Sequence, residues 1–371
     1  MDNFNSIKSD ENLIYFLFSH IIPGGGAEKQ ILIQAQTLIE NGYNIKFLCK
    51  TIDTDHFKRY CPSGNYSTSI FKHLLFSKEY CLFNFLSYDL KYCIFFSIFK
   101  KIKWIPFEQT HPNYYRFYSS KYRIIRIIKF LMLKYFYLIF AHSIFTQTDD
   151  AKEQWSKIFG KSNKNIFVLS NIFELNNKIK SYDNLSNCSE FKIVMAGRLI
   201  NLKDYEFAIK SFSILSHKYN KNFKVYINGD GELLNSLKEL TIKLKLDEII
   251  LFKKFNDNIQ ETFLNSDLFI MTSKIEGMPN ALGEAMSCGL ACLTLDFPGA
   301  KDLLNFKDDF TRQQIILERE VNHFANILNE ITNNHCNLKK LGSMNKERIK
   351  LHFSKENFLE NFSKTFNENI R

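Results

Sequence analysis

Two glutamates, Glu276 and Glu284, lie eight positions apart in the stretch SKIEGMPNALGEAM. An apolar run of strand length precedes this stretch, and its Pro-Asn pair favours a helix start, so we expect Asn280 to cap a helix. Glu276 then lies in the loop before the helix, and Glu284 lies about one turn into it. The two acids therefore flank a helix N-terminus and do not share one helical face.

This arrangement is suited to an anion with hydroxyl groups on either side. N–H groups of a first helical turn have no intrahelical acceptor, and the helix dipole favours negative charge there. A diphosphate could bind near Asn280, Ala281 and Leu282, with a carboxylate on each side accepting hydrogen bonds from sugar hydroxyls. The alternative is that Glu284 only favours the helix dipole and Glu276 is solvated. Spacing alone favours that alternative.

Arg198 and Lys203 stand five positions apart, directly after the apolar run FKIVMAG. A guanidinium binds phosphate through two parallel hydrogen bonds and an ammonium binds it as a compact charge, so the pair is suited to a diphosphate. Two basic residues in a loop are also commonly just solvated. Their place after a strand favours the binding interpretation.

Two glycine-containing turns are further candidates for ligand contact. The loop PGGG precedes a helical pattern over 27–40, and its consecutive glycines, Gly25 and Gly26, let the backbone approach a ligand closely. It is not a dinucleotide fingerprint, because the third glycine of G-x-G-x-x-G would fall at Lys29. The turn NGDGELL places Asp230 at another strand end. An ordinary tight turn is the alternative for both loops.

Strand-length apolar runs alternate with helical patterns, which predicts parallel sheets with helices on both faces. Within the aromatic, weakly punctuated segment 51–140 we place only a basic amphipathic helix, over 122–139. The polar stretch 172–190 is a natural linker. Strands are predicted at residues 12–18, 43–50, 143–148, 165–171, 191–197, 223–229, 249–255, 267–273 and 290–296.

These elements predict an α/β protein of two doubly wound halves joined near residue 180. The length of 371 residues supports two domains, because single cores stop growing at roughly 250–300 residues. In such sheets ligands bind at the carboxyl ends of the strands, and the polar motifs above fall at such ends.

Charge and cysteine content narrow the class of protein. The formal net charge of +10 allows nucleic acid, an anionic membrane or a phosphorylated small molecule as partner, but no polynucleotide-binding motif is present. The eight cysteines form no C-x-x-C pair, so buried reduced thiols are the better interpretation. Acidic residues near the N-terminus argue against a signal peptide. We expect a cytoplasmic protein.

Residues 191–304 resemble the donor-binding domain of the retaining glycosyltransferase family 4. They carry, in family order and spacing, G-R-L-x-x-x-K-D, G-D-G, S-x-x-E-G-x-P-N-x-L-x-E-A and P-G-A-K-D. The E-x7-E of Glu276 and Glu284 is the family's signature. The loop GGGAEKQ also resembles the GGAE loop of bacterial members that build capsule, lipopolysaccharide and lipid-linked oligosaccharide. Residues 51–165 match poorly.

The resemblance implies the GT-B fold, in which two doubly wound Rossmann-like domains face a central cleft. An acceptor-binding domain is expected over residues 1–180 and a nucleotide-sugar-binding domain over 181–350. Residues 351–371 are expected to form a C-terminal helix that packs back on the N-terminal domain.

Residue roles also follow from the resemblance. Arg198 and Lys203 are expected to bind the donor diphosphate and stabilise charge on the leaving group, Glu284 to bind the ribose, and Glu276 to face the transferred sugar. The other substrate-binding candidates in this domain are Asp230, Gly277, Met278, Pro279, Asn280, Ala281 and Leu282.

The resemblance extends to the first domain with less detail. Gly25 and Gly26 are expected to approach the diphosphate from that domain. In the loop FEQTHPNYY, Glu108 matches a Ser-Glu-Arg-Asn-type sequence of relatives, and His111 is a candidate polar group near the sugar. Both are candidates for the chemistry, although a lone loop histidine is also commonly structural. Asp302 stands where the family usually has a glutamate, which reaches farther.

The implied reaction is retaining transfer of a hexose or N-acetylhexosamine from a UDP-sugar to a glycan or lipid-linked glycan, in bacterial surface polysaccharide or glycoconjugate assembly. No cofactor or metal is expected, because side-chain cations can balance the diphosphate charge. A GT-B enzyme of another type, such as a sugar-nucleotide epimerase or a phosphorylase, is the alternative. The broken glycine fingerprint disfavours an oxidoreductase.

The basic aromatic stretch 114–139 carries a separate hypothesis. Cations among large apolar residues suit a helix lying on an anionic membrane surface, on the inner face of the cytoplasmic membrane, where a lipid-linked acceptor would be found. The alternative is a core helix whose cations extend to solvent.

Overall fold

The chain forms two compact units, Met1–Ile172 together with Lys355–Arg371, and Phe173–Ser354. The computed structural model describes residues 13–18, 20–21, 26–76, 80–85, 90–99, 102–113, 123–160, 164–178, 182, 190–254, 259–333 and 336–370. The first unit ends at the start of the predicted linker 172–190, part of which lies outside the described residues.

The described part of the first unit contains a seven-stranded parallel sheet with the order β5-β3-β1-β6-β7-β8-β9. A separate short pair, β2 with β4, follows β1 and β3, so the glycine loop comes after β2 and not directly after β1 as predicted. The strands are β1 (Ile14–Leu17), β2 (His20–Ile21), β3 (Ile45–Leu48), β4 (Thr51–Ile52), β5 (Asn65–Ser67), β6 (Tyr80–Phe85), β7 (Ile102–Glu108), β8 (Ser143–Thr146) and β9 (Asn165–Val168).

Helices cover both faces of this sheet, as the continuous burial of strands such as β1 requires. Phe16 and Phe83 point to one face, where α1, α2 and α14 pack, while Tyr15 and Trp104 point to the other, where α3 to α6 pack. The helices are α1 (Gly26–Glu40), α2 (Thr54–Tyr60), α3 (Ile70–Phe76), α4 (Leu90–Phe99), α5 (Arg123–Phe140), α6 (Asp149–Phe159) and α14 (Lys355–Asn369).

The C-terminal helix α14 belongs to the core of the first unit. Phe358, Phe362 and Phe366 recur every four residues, so they form one stripe, and all three are buried against the α1 side of the sheet. Tyr43 packs edge-on against Phe362, and its hydroxyl lies 2.8 Å from the Ser363 hydroxyl. The end of the chain is thus held by residues near its beginning.

The second unit contains a six-stranded parallel sheet, within the described residues, with the order β12-β11-β10-β13-β14-β15. Its strands are β10 (Phe191–Ala196), β11 (Phe223–Asn228), β12 (Ile250–Lys253), β13 (Leu268–Met271), β14 (Cys292–Leu295) and β15 (Ile315–Ile316). Its helices are α7 (Tyr205–His217), α8 (Leu234–Lys243), α9 (Gln260–Leu264), α10 (Asn280–Ser287), α11 (Pro298–Leu304), α12 (Val321–Asn333) and α13 (Cys336–His352).

The predicted alternation of strands and helices is confirmed in both units, and every predicted strand contains an observed one. The aromatic segment that the sequence left unassigned holds the elements from β4 to α4 and the strand β7. The described cysteines whose side chains are placed are all free thiols, and most are buried. Burial raises the pKa of Cys49 and of Cys81 to about 11, so both stay protonated at neutral pH.

Candidate active site

The candidate residues of the second unit gather where its strand order reverses. From β10 the chain moves outward to β11 and β12 and then returns to β13 on the other side of β10. Helices leave on opposite sides at such a point, which opens a crevice at the carboxyl ends of the two central strands. The loop after β10 carries Arg198 and Lys203, and the loop after β13 carries Glu276.

Lys203 and Glu276 form an ion pair across this point. The Lys203 ammonium lies 2.6 Å from a Glu276 carboxylate oxygen, and each side chain is only 17% exposed. Water screens the attraction in a pair this sheltered less than it does in a surface ion pair. The structure therefore brings together two residues that stand far apart in the sequence.

Tyr205 completes this cluster and was not found from the sequence. Its buried hydroxyl donates a hydrogen bond of 3.1 Å to the carbonyl of Gly197, the residue before Arg198. Burial, and secondly the negative charge of Glu276, raise the pKa of Tyr205 well above its usual range. The phenol therefore stays protonated and acts as a hydrogen-bond donor beside the ion pair.

Backbone contacts join the loops that carry the pair. The Lys274 N–H donates to the carbonyl of Leu202 at 2.8 Å. The Thr272 hydroxyl lies within hydrogen-bond distance of the carbonyls of Lys203 and Asp204, at 3.2 and 2.9 Å. These hydrogen bonds connect the two loops directly.

Arg319, which follows β15 in the chain, contacts the same two loops. Its guanidinium donates to the carbonyls of Thr272 and Ser273, at 3.1 and 2.6 Å. It also forms an ion pair of 2.9 Å with Asp204, which has a left-handed backbone with φ of 51°. Burial lowers the pKa of Arg319, and the Asp204 carboxylate opposes that shift. Arg319 is a positioning residue that no sequence motif indicated.

Replacing Arg319 by methionine is expected to lower turnover by roughly 10- to 100-fold, because small displacements of reacting groups cost about that much. The effect should fall on kcat more than on KM, and Arg319→Lys should restore only part of it, since one ammonium cannot reach three acceptors. The control is Arg312→Met, which replaces a half-exposed arginine whose guanidinium lies 3.4 Å from Asp309. Equal losses in both variants would contradict the positioning role.

Arg198 is presented to solvent at the end of β10. Its side chain is exposed, and no ion pair or hydrogen bond connects it to another residue in the part of the chain that the structure describes. The loop below it is packed backbone against backbone, since a Cβ on Gly229 would lie 2.0 Å from the Gly197 carbonyl oxygen. The glycines of the G-D-G motif therefore permit a close approach of two strand ends. Asp230 itself is exposed, and it accepts a hydrogen bond from the Gly231 N–H.

The loop after β13 leads into α10 as expected, with Glu276 in the loop and Glu284 on the helix. The predicted cap is wrong by one residue: Pro279 is the N-cap and Asn280 is the first helical residue. Proline has no N–H and its fixed φ suits a helix entrance, so the helix begins without a side-chain cap. The first-turn N–H groups, including that of Ala281, lie beside the loop of Glu276.

The loop between Glu276 and α10 is closely packed. Met278 and Leu282 are buried in the core of the second unit. A Cβ on Gly299, at the start of α11, would lie 2.0 Å from the carbonyl oxygen of Gly277, so that helix start touches the loop directly. Asp302 lies on α11, where its carbonyl accepts a hydrogen bond of 2.6 Å from Arg348.

In the first unit, Glu108 and His111 are buried near the end of β7. Glu108 is 2% exposed and accepts a hydrogen bond from the Tyr137 hydroxyl. His111 Nε2 lies 2.7 Å from an Asp150 carboxylate oxygen, and its Nδ1 accepts the N–H of Asn113 at 3.2 Å. A ring that accepts at Nδ1 must carry its proton at Nε2, which fixes the tautomer.

The glycine loop is only partly placed. Gly26 is the exposed first residue of α1, whereas Gly25 lies outside the described residues. The roles of Gly25, Gly26, Glu108 and His111 stay predictions. Among the described residues, no group of histidine, cysteine and acidic side chains is arranged to hold a metal ion. Within the same part of the chain, no helix has both the length and the apolar character needed to span a membrane.

Comparison with known proteins agrees with this geometry. Residues 176–348 match the family model described as glycosyl transferases group 1. An uncharacterized glycosyltransferase of Methanocaldococcus jannaschii is 32% identical over 48% of this chain and 45% of its own length. The Escherichia coli UDP-Gal:α-D-GlcNAc-diphosphoundecaprenol α-1,3-galactosyltransferase is 32% identical over 39% of this chain and 37% of its own length. The chain thus spans less than half of each of these two relatives.

A likeness over the whole chain is found among solved structures. The Anabaena protein HepE in complex with UDP-glucose has a TM-score of 0.78 and 15% sequence identity, covering 96% of this chain and 99% of that protein. At this identity the likeness concerns the fold alone. The chain therefore has the GT-B fold, and its residues 176–348 match the model of glycosyl transferases group 1.

Proposed function

We propose that this protein is a retaining glycosyltransferase that uses a UDP-sugar as donor. The observation that carries the proposal is the cluster at the strand switch of the second unit, inside the matched domain. Arg198, Lys203 and the start of α10 supply positive charge there, and Glu276 supplies a carboxylate 2.6 Å from the Lys203 ammonium. Phosphate and sugar hydroxyl groups are the ligands that such a cluster fits.

The cluster can stabilise the charge that develops during transfer. Breaking the bond between the anomeric carbon and the phosphate oxygen passes through an oxocarbenium-like transition state and leaves negative charge on the diphosphate. The exposed Arg198 guanidinium and the Lys203 ammonium are proposed to balance this charge. Glu276, which lies in the loop before α10, is proposed to accept hydrogen bonds from the sugar, and Glu284 from the ribose.

The acceptor is proposed to be a glycan or a lipid-linked saccharide of bacterial surface polysaccharide or glycoconjugate assembly. The printed name of the Escherichia coli relative, which specifies a diphosphoundecaprenol-linked acceptor, supports this class. We also propose that the reaction needs no metal, because Arg198, Lys203 and the N-terminus of α10 supply positive charge of the kind that a metal would otherwise provide. The transferred sugar is proposed to be a hexose or an N-acetylhexosamine.

The proposal is tested by incubating the protein with a panel of UDP-sugars, with and without an undecaprenyl diphosphate-linked saccharide. We expect UDP release that depends on the acceptor, survives EDTA and gives a product with the donor's α configuration in its proton NMR couplings. A β product would exclude retention, and loss of activity in EDTA would exclude metal independence. Epimerised nucleotide sugar without acceptor, or sugar 1-phosphate formed with inorganic phosphate, would replace the proposal by an epimerase or a phosphorylase.

A further inference from the structure

The helix α5 of the first unit exposes an unusually apolar surface. Tyr135 is 64% exposed and Leu131 55%, on a helix whose described side chains include no acid. Large apolar side chains this exposed are ordinary when they are scattered, but a continuous stripe needs an explanation. The exposed apolar residues of α5 are Ile124, Ile125, Ile127, Ile128, Leu131, Met132, Tyr135 and Ile139.

The exposed stripe is distinct from the face by which α5 joins the domain. Leu133 and Tyr137 are buried in the core beneath the helix, in contact with the side of the sheet that includes Trp104. Their spacing of four places them on one face, and Ile124, Ile128 and Leu131 follow the opposite one. The helix is thus apolar on both sides, although only one side has partners among the described residues.

Two neighbouring helices extend the exposed surface. Phe95 and Phe99 of α4 are 42% and 68% exposed, and Phe71 of α3 is 49% exposed. Their rings are in contact, with centroids 4.7 Å apart for Phe95 and Phe99 and 6.0 Å apart for Phe71 and Phe95. Helices α3, α4 and α5 bury their other faces in the same core, so all three cover one side of the sheet. We call their exposed apolar residues the α3–α5 face.

The charges on these helices are all of one sign. The sequences of α3, α4 and α5 contain no aspartate or glutamate, and their lysines and arginines are Lys72, Lys91, Arg123, Arg126, Lys129 and Lys134. The side chains of Lys72, Lys91 and Lys129 are exposed. Apolar side chains interspersed with cations are the pattern of helices that lie in the interface of an anionic bilayer.

We propose that the α3–α5 face docks on the surface of an anionic phospholipid bilayer, with its apolar side chains among the acyl chains and its cations at the headgroups. A second copy of the chain fits less well. A symmetric dimer through this face would place lysines of one copy against the same basic surface of the other, with no acid on the three helices to pair with them. A bilayer supplies both the apolar medium and the negative charge.

The test is co-sedimentation of the full chain with vesicles of phosphatidylcholine alone or with 30% phosphatidylglycerol, a composition that we choose to give a surface of clear negative charge. We expect binding to the anionic vesicles that weakens as salt is raised, and little binding to the neutral ones. The double variant Ile128→Glu, Leu131→Glu should bind about tenfold less, because each change removes apolar area and adds a repelled charge. Lys129→Glu should weaken binding in the same direction.

The matched control is Ile242→Glu with Leu351→Glu, which makes the same changes at residues of the second unit that are 64% and 53% exposed. This control variant should bind vesicles as well as the unchanged protein does. Both double variants should have the melting temperature of the unchanged protein. Equal binding by all variants, or no binding to anionic vesicles, would overturn the proposal. A dimer that dissociates only in the α5 variant, measured by light scattering, would assign the face to a second copy. Vesicle binding is measured without substrate, so its outcome is independent of the proposed reaction.

Discussion

Replacing Arg198 by alanine is expected to lower kcat/KM for the proposed sugar transfer by about 100- to 1,000-fold, the usual cost of removing one group that stabilises a developing charge. The loss should appear mainly in kcat, because the diphosphate gains negative charge only as its bond to the sugar breaks. Arg198→Lys should recover part of the rate, since an ammonium keeps the charge but not the two-pronged geometry.

Arg198 is well suited to this test because its loss should not disturb folding. Its side chain is exposed, and the close packing below it is made by the backbones of Gly197 and Gly229. Surface substitutions of this kind usually change stability by no more than about 0.5 kcal/mol. Turnover should be measured beside the melting temperature, with Arg312→Ala as the control of equal charge. Near-normal turnover in Arg198→Ala would contradict the assignment of the diphosphate site.

Replacing Glu276 by alanine is expected to abolish measurable transfer. The change removes the carboxylate proposed to face the sugar, and it also leaves the Lys203 ammonium, 17% exposed, without its partner at 2.6 Å. A sheltered charge that loses its partner will move or take up water. The change at Glu276 therefore also disturbs Lys203, which is proposed to bind the diphosphate. Glu276→Gln should lose less, because the amide keeps the shape and one hydrogen-bond acceptor.

A double-mutant cycle separates these contributions. If Lys203 and Glu276 act as one unit, the variant carrying both Glu276→Gln, which keeps measurable activity, and Lys203→Met should be little worse than the less active of the two single variants. Lys210 and Glu206 provide a matched pair, also 2.6 Å apart but about half exposed on α7. Breaking that surface pair with Glu206→Ala should leave turnover unchanged. Losses that add up across Lys203 and Glu276 would show that the two residues act separately.

Sequence patterns were sufficient to place a residue in a loop, in a helix or at a strand end, because that position depends on its neighbours along the chain. The loop position of Glu276, the helical position of Glu284 and the strand ends carrying Arg198 and Asp230 all follow from local periodicity, and the structure places them so. The cap of α10 was missed by one residue because proline and asparagine both favour a helix start, and only backbone geometry separates the N-cap from the first helical position.

Contacts between distant parts of the chain could not be predicted in this way. No pattern near Arg319 indicates that its guanidinium binds Asp204 and the carbonyls after β13, because these acceptors are 46 to 115 positions away. The hydrogen bond from the Tyr205 hydroxyl to the Gly197 carbonyl could not be predicted either, because it forms only when the loop after β10 folds back on the strand end. In the first unit, aromatic residues fill both faces of the sheet, so the strands there show little periodicity.

The sequence by itself determined the class of the protein: an α/β chain of two doubly wound halves, whose motifs at strand ends resemble those of a glycosyltransferase family. These properties depend on short-range patterns, namely apolar periodicity, glycine turns and residue spacing. Tertiary structure decided which charges meet. It pairs Lys203 with Glu276 and brings Arg319 into contact with the loops that carry them. It also buries Glu108 and His111 and leaves an apolar stripe of α5 exposed. The physical reason is that ion pairing and burial depend on distances in space, which the order of sheet strands sets and the order of residues does not.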